Sequence, residues 1–92
     1  MPGLTDQETV SLLETVPDWH IESGELVRIF QFHDFKAAML FVNAVAELAE
    51  TAGHHPDIDI RYNRVRLCLI THDAGGLTSK DFDLAASADK AI

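Results

Sequence analysis

Residues Phe35 to Ala52 form an eighteen-residue run bracketed by Asp34, a residue type that caps helix N-termini, and by Gly53, which enters the left-handed conformation without a Cβ clash. Within it Phe35, Ala38, Val42, Val45, Ala46 and Ala49 recur at helical spacing. At 1.5 Å per residue such a helix is about 27 Å long, enough to cover a small sheet from end to end. The chain on either side must therefore supply that sheet.

Both flanks read as hairpins. Trp19 to Glu22 and Glu25 to Phe32 are β-branched and aromatic runs joined by Ser23-Gly24. The second of these runs is apolar on both faces, with Val27 and Ile29 opposite Leu26, Phe30 and Phe32, which predicts helices on one side and suits a partner surface on the other. After Pro56, Asp57 to Tyr62 and Val65 to Thr71 flank Asn63-Arg64, a turn in which the asparagine accepts positive φ. Pairing Tyr62 with Val65, Ile60 with Leu67 and Ile58 with Leu69 puts all six on one face and Asp57, Asp59, Arg61, Arg66, Cys68 and Ile70 on the other. Thr5 with Glu8 makes a capping box for a first helix to about Thr15, closed by Pro17. A last helix starts at Thr78-Ser79-Lys80-Asp81 after Gly75-Gly76 and runs toward Ala91, with Leu84, Ala85, Ala88 and Ile92 inward. The expected fold is α+β, in the order α-β-β-α-β-β-α: a four-stranded antiparallel sheet with helices packed on one face, forming a single domain over residues 1–92.

Charge narrows the function. Seven Lys and Arg stand against fifteen Asp and Glu, for a net charge of -8. Nucleic-acid binding depends on cationic contacts to phosphate, so neither nucleic acid nor an anionic membrane is an expected partner. The longest apolar stretch, Ala37 to Val42, is too short to span a bilayer, and Met1 to Asp6 carry no basic region followed by an apolar one, so a cytoplasmic protein is expected. The lone Cys68 has no internal disulfide partner and reads as a small core hydrophobe. Chains of 92 residues bury only about 60–65% of their unfolded surface, which favours association with a second copy.

Three of five histidines fall in one stretch, Glu50-x3-His54-His55-Pro56-x5-Tyr62-x9-His72-x8-Asp81. Imidazole both gives and takes a proton near neutral pH, so three converging rings point to proton transfer or metal binding. The hairpin register extrapolates to His55 opposite His72 at one sheet end, within reach of Asp81 at the last helix start and Glu50 in the long helix's last turn. Each residue also has a plain structural use: Asp81 as the third-position partner of a Thr78 capping box, Glu50 as a solvated helix residue, His54 as a cation at a helix C-terminus, His72 as a polar strand end. His20 and His33 read as surface residues, and Tyr62 as a packing residue with a wet hydroxyl. Adjacent His54 and His55 diverge in an extended chain and Cys68 faces away from the register of Ile58, Ile60 and Tyr62, which disfavours a metal site.

The same stretch resembles the signature of the pterin-4a-carbinolamine dehydratase family. Phe32-x-Asp34-Phe35, Ala46-Glu47, Tyr62-Asn63-Arg64-Val65, Thr71-His72 and Gly76-Leu77-Thr78-x-x-Asp81 extend the likeness over roughly residues 17 to 92. The resemblance implies a dehydratase without metal or cofactor, whose substrate is a 4a-hydroxytetrahydropterin left by an aromatic amino acid hydroxylase. It implies His54 and His72 as acid and base, His55 as a ring that holds the pterin and supports proton transfer, Glu50 as a group orienting the His54 region, and Asp81 orienting a histidine or binding the pterin. A homodimer or homotetramer and a functional link to the hydroxylase follow from the same likeness. So does the rival reading: a non-catalytic dimerisation module, since some family members are dimerisation cofactors of a homeodomain transcription factor.

Overall fold

The computed structural model describes residues 3–92; Met1 and Pro2 lie outside the described residues. Seven elements follow the predicted order, with an additional 3-10 turn before the last: α1 (Asp6–Leu13), β1 (His20–Glu22), β2 (Glu25–Gln31), α2 (Phe35–Ala52), β3 (Asp57–Arg61), β4 (Arg64–Leu69), the 3-10 turn (His72–Ala74) and α3 (Ser79–Lys90). Every strand pairing is antiparallel and the sheet runs β1-β2-β4-β3, so the two long inner strands come from different hairpins. No helix among the described residues is long and apolar enough to cross a membrane.

The helices take one face of the sheet. Leu26 and Phe30 of β2 and Val65, Leu67 and Leu69 of β4 meet Ala38, Phe41, Val42, Val45 and Ala49 of α2 and Phe82, Leu84, Ala85 and Ala88 of α3 in one core. Trp19 meets Phe30 edge-on at 5.9 Å, and its indole N–H donates to Asp89 at 2.8 Å, which ties the first hairpin to the end of α3. Val27 and Cys68, paired across β2 and β4, are also buried but face away from this core, beside the exposed Ile29. Cys68 thus packs on the helix-free face, where burial pushes its thiol pKa up and keeps it neutral.

The N-caps read from the sequence for α1 and α2 form as expected. The Thr5 hydroxyl and Glu8 carboxylate cap α1 reciprocally, and Asp34 accepts from the Ala37 N–H at 2.8 Å to open α2. The inner stripe of α2 needs amending: Phe41 is buried, whereas Phe35 and Ala46 are exposed. Phe35 shares the stripe's direction with Val42 but is the first residue of α2, at its exposed end, whereas Ala46 lies toward the stripe's edge. Ile92, one residue beyond the cap of α3, is likewise exposed.

The second hairpin turns one residue earlier than its sequence suggests. Arg61 pairs with Arg64, Ile60 with Val65 and Ile58 with Leu67, so Tyr62-Asn63 form the turn and Tyr62, not Asn63, carries positive φ, at 53°. The cause is tertiary. The Asn63 side-chain amide donates to the Phe32 carbonyl, and the Asn63 carbonyl accepts from the Phe32 N–H, both at 2.8 Å, which fastens the turn to the exit of β2. Tyr62 is consequently exposed rather than packed. The register moves by two residues in pairing, so each side chain keeps its expected face. Extrapolated past its last pair, Asp57 with Cys68, it points His55 toward Ile70 instead of His72, and His72 lies in the 3-10 turn rather than on the strand.

Gly53 closes α2 with φ 63°, its N–H and that of His54 returning to the carbonyls of Glu50 and Ala49. A Cβ at Gly53 meets no atom within 4 Å, so an alanine there suffers only the left-handed backbone cost of about 1–2 kcal/mol. Gly53→Ala is expected to lower the melting temperature by at least about 4 °C in a thermal unfolding scan. Gly76→Ala, with equal space and no positive φ, is expected not to lower it.

Candidate functional site

Three chain segments leave their elements at one end of the sheet: the C-terminus of α2, the exit of β4 and the N-terminus of α3. Gly53 turns the chain back at the end of α2, so the next two residues part. His54 goes inward and His55 outward, and Pro56 then holds His55 extended for entry into β3.

His54 is the buried member of the pair. Its Nε2 lies 2.5 Å from Asp81 Oδ1, with side-chain exposures of 11% and 0%. Asp81 is fully enclosed, and donors from the other two segments meet its second oxygen: the Thr71 hydroxyl at 2.9 Å and the Thr78 N–H at 2.9 Å. The capping use of Asp81 and its use toward a histidine are therefore simultaneous, one on each carboxylate oxygen. With Nε2 donating to Asp81, the lone pair of neutral His54 resides on Nδ1.

His55 is 61% exposed and its Nε2 pairs with Glu50, which is 77% exposed. Glu50 therefore addresses His55, and the carboxylate that orients His54 is Asp81. The helix end explains the change, since the reversal at Gly53 carries His54 away from the last turn of α2 and leaves His55 alongside it.

His54, His55 and His72 line one recess of about 270 Å³, together with Ile70, Thr71 and Lys80. The predicted gathering of three imidazoles at one sheet end is present, although His72 reaches it from the 3-10 turn. A larger hollow of about 620 Å³ between α2 and α3, walled by Leu48, Leu84 and Ala91, adjoins it and shares His54 and Lys80. Among the described residues no three His, Cys, Asp or Glu side chains are placed to hold a metal ion. His20 and His33 are exposed and pair with their neighbours Glu22 and Asp34, away from the recess. Lys80 and the Thr71 hydroxyl are the contributors that sequence reasoning did not single out. Lys80 is separated from Asp81 by no residue, but its placement on the recess wall depends on the orientation of α3. Thr71 precedes His72, yet only the meeting of β4 with α3 reveals the carboxylate it serves.

The chemical capacity follows from this geometry. One imidazole is fixed by a buried carboxylate, and two more stand at an open mouth. A flat polar molecule placed between them meets proton donors and acceptors from different directions. The two carboxylate–imidazole pairs should differ sharply in energetic weight. Asp81→Ala removes the partner of a buried ring and strands two further donors, and is expected to destabilise the protein by about 3 kcal/mol. Glu50→Gln, at an exposed pair, is expected to change stability by less than about 0.5 kcal/mol. Chemical denaturation of the two variants against wild type checks both values.

Comparisons with known proteins identify the family. Residues 2–91 match the family model described as pterin 4 alpha carbinolamine dehydratase. A protein of Acidobacterium capsulatum named "Putative pterin-4-alpha-carbinolamine dehydratase" is 61% identical over 97% of both chains. One of the same name from Chloroflexus aurantiacus is 61% identical over 98% of this chain and 97% of its own. Among solved structures, a transcriptional coactivator/pterin dehydratase from Brucella melitensis superposes with a TM-score of 0.93 at 32% identity, covering 97% of each chain. A pterin dehydratase-like protein identified as a RuBisCO assembly factor in the alpha-carboxysome shares the fold, with a TM-score of 0.66 at 24% identity over 79% of this chain and 84% of its own. With a match across nearly its whole length and relatives this similar, the chain belongs to the pterin-4-alpha-carbinolamine dehydratase family.

Proposed function

We propose that this protein converts a 4a-hydroxytetrahydropterin into the quinonoid dihydropterin and water by histidine acid–base catalysis, and so recycles the pterin used by an aromatic amino acid hydroxylase. The single observation that carries the reading is the recess in which His54, backed by buried Asp81, stands with His55 and His72.

In this reaction the bond from carbon 4a to its hydroxyl oxygen breaks. The N5 lone pair forms a double bond to carbon 4a, N5 gives up its proton, and the departing oxygen takes a proton to leave as water. One base and one acid suffice. In this reading His54 is the base, because the hydrogen bond from Nε2 to Asp81 leaves Nδ1 free to accept and the carboxylate stabilises the imidazolium that forms. His72, exposed at the rim, serves as the acid. His55, steered by Glu50, holds the ring system. No metal or cofactor enters these steps, and the pterin is the substrate. General acid–base assistance of this kind contributes about 10²- to 10⁴-fold, enough for a dehydration that proceeds slowly unaided.

The test is dehydration of freshly generated 4a-hydroxytetrahydropterin followed by absorbance. Wild type should accelerate it, and a His54→Ala, His72→Ala double variant should lose at least about 10²-fold. The wild-type rate should fall at acid pH, because a protonated ring has no lone pair to offer the N5 proton. It should be unchanged by chelators. Equal rates for wild type and the double variant would overturn the enzymatic reading and leave the dimerisation module, for which the helix-free sheet face with exposed Ile29 is the available surface.

A further inference from the structure

The carboxylate that holds His54 is itself held by a side chain outside the histidine set. Thr71 Oγ1 donates to Asp81 Oδ2 at 2.9 Å and lies 2.8 Å from Thr78 Oγ1. A hydroxyl has one hydrogen, and that of Thr71 is committed to the carboxylate, so Thr78 must be the donor between the two threonines. The result is a directed chain, Thr78 hydroxyl to Thr71 hydroxyl to Asp81 Oδ2, with His54 Nε2 on Asp81 Oδ1.

We propose that Thr71 is a positioning residue for the dehydration, its hydroxyl fixing the rotation of the Asp81 carboxylate and through it the orientation of His54; this rests on the function proposed above. An aspartate carboxylate turns in a broad torsional well, so its plane is set by its partners rather than by its own rotamer. Here Oδ2 has two anchors, the Thr78 N–H and the Thr71 hydroxyl, and the remaining oxygen faces the imidazole. Asp81 has no exposure, so water does not replace a lost anchor. Thr71 can act as a fixed post because its backbone is pinned, its N–H donating to the Gly76 carbonyl at 3.1 Å and its carbonyl accepting from the Ala74 N–H at 3.1 Å. Thr71 also lines the recess, so the hydroxyl network reaches its wall.

A purely structural threonine and a positioning threonine differ in how they combine with Asp81. The experiment measures kcat and KM for 4a-hydroxytetrahydropterin dehydration in wild type, Thr71→Val, Thr71→Ser, Asp81→Asn and the Thr71→Val, Asp81→Asn double variant. Thr71→Val should lower kcat about ten- to a hundredfold, the scale of a misplaced reacting group, with KM within about twofold. Thr71→Ser, which keeps the hydroxyl, should restore kcat to within about threefold of wild type, on the same reasoning. In the Asp81→Asn background, Thr71→Val should have no further effect on kcat, because the group it positions is already altered. Equal kcat losses from Thr71→Val in both backgrounds, a Thr71→Ser variant as impaired as Thr71→Val, or an unimpaired Thr71→Val would each overturn the proposal while leaving the dehydratase reading intact. A wild-type protein without dehydratase activity would overturn both.

Discussion

A carboxylate with no exposure is the constraint around which this molecule's functional end is organised. Burying Asp81 is costly unless donors replace the water it loses, and each donor comes from a different segment: His54 after α2, Thr71 after β4, and the Thr78 N–H at the start of α3. The electropositive N-terminus of α3 adds to the favourable field. Satisfying one side chain thus draws three chain ends together, and the recess is what lies between them. Hydrophobic packing of α2 and α3 on the sheet sets the approximate positions of these ends, and the Asp81 network sets the final ones.

The same constraint separates two histidines that are neighbours in sequence. His54 is fixed against a buried acid, and His55, one residue later, faces solvent with a partner that is itself exposed. Exposed pairs of that kind contribute little to stability, whereas a buried pair gives its imidazole a fixed direction. One rigid imidazole beside two more adaptable ones is the arrangement on which the proposed dehydration draws. Gly53 makes this division, because its left-handed conformation ends α2 abruptly enough to send successive side chains to opposite sides.

Elements governed by local chemistry were legible in the sequence. The Asp34 and Gly53 boundaries of α2, the Thr5–Glu8 box and the Ser23-Gly24 turn all depend on residues within a few positions of one another, and all form. Parity along β3 and β4 was equally legible, since alternation survives a slipped turn. The turn position was not, because it depends on Asn63 gripping Phe32, thirty-one residues away in the chain. The gathering of His54, His55 and His72 followed from topology, but the pairing of acids with rings did not. Glu50 and Asp81 are both within reach of that sheet end in sequence terms, and only the direction of the chain after Gly53 decides that Asp81 takes His54. The hydrogen bond of Thr71 to Asp81 was invisible for the same reason, since its partner lies on another element.

The account depends on His54 being a ring held in one tautomer by Asp81. Long-range proton–nitrogen NMR of the imidazoles in the free protein tests this most directly. In the neutral form of the ring it should show His54 as a single Nε2–H tautomer, its proton protected and hydrogen-bonded. A His54 signal protonated on Nδ1, or averaged like that of a solvent-exposed ring, would contradict it.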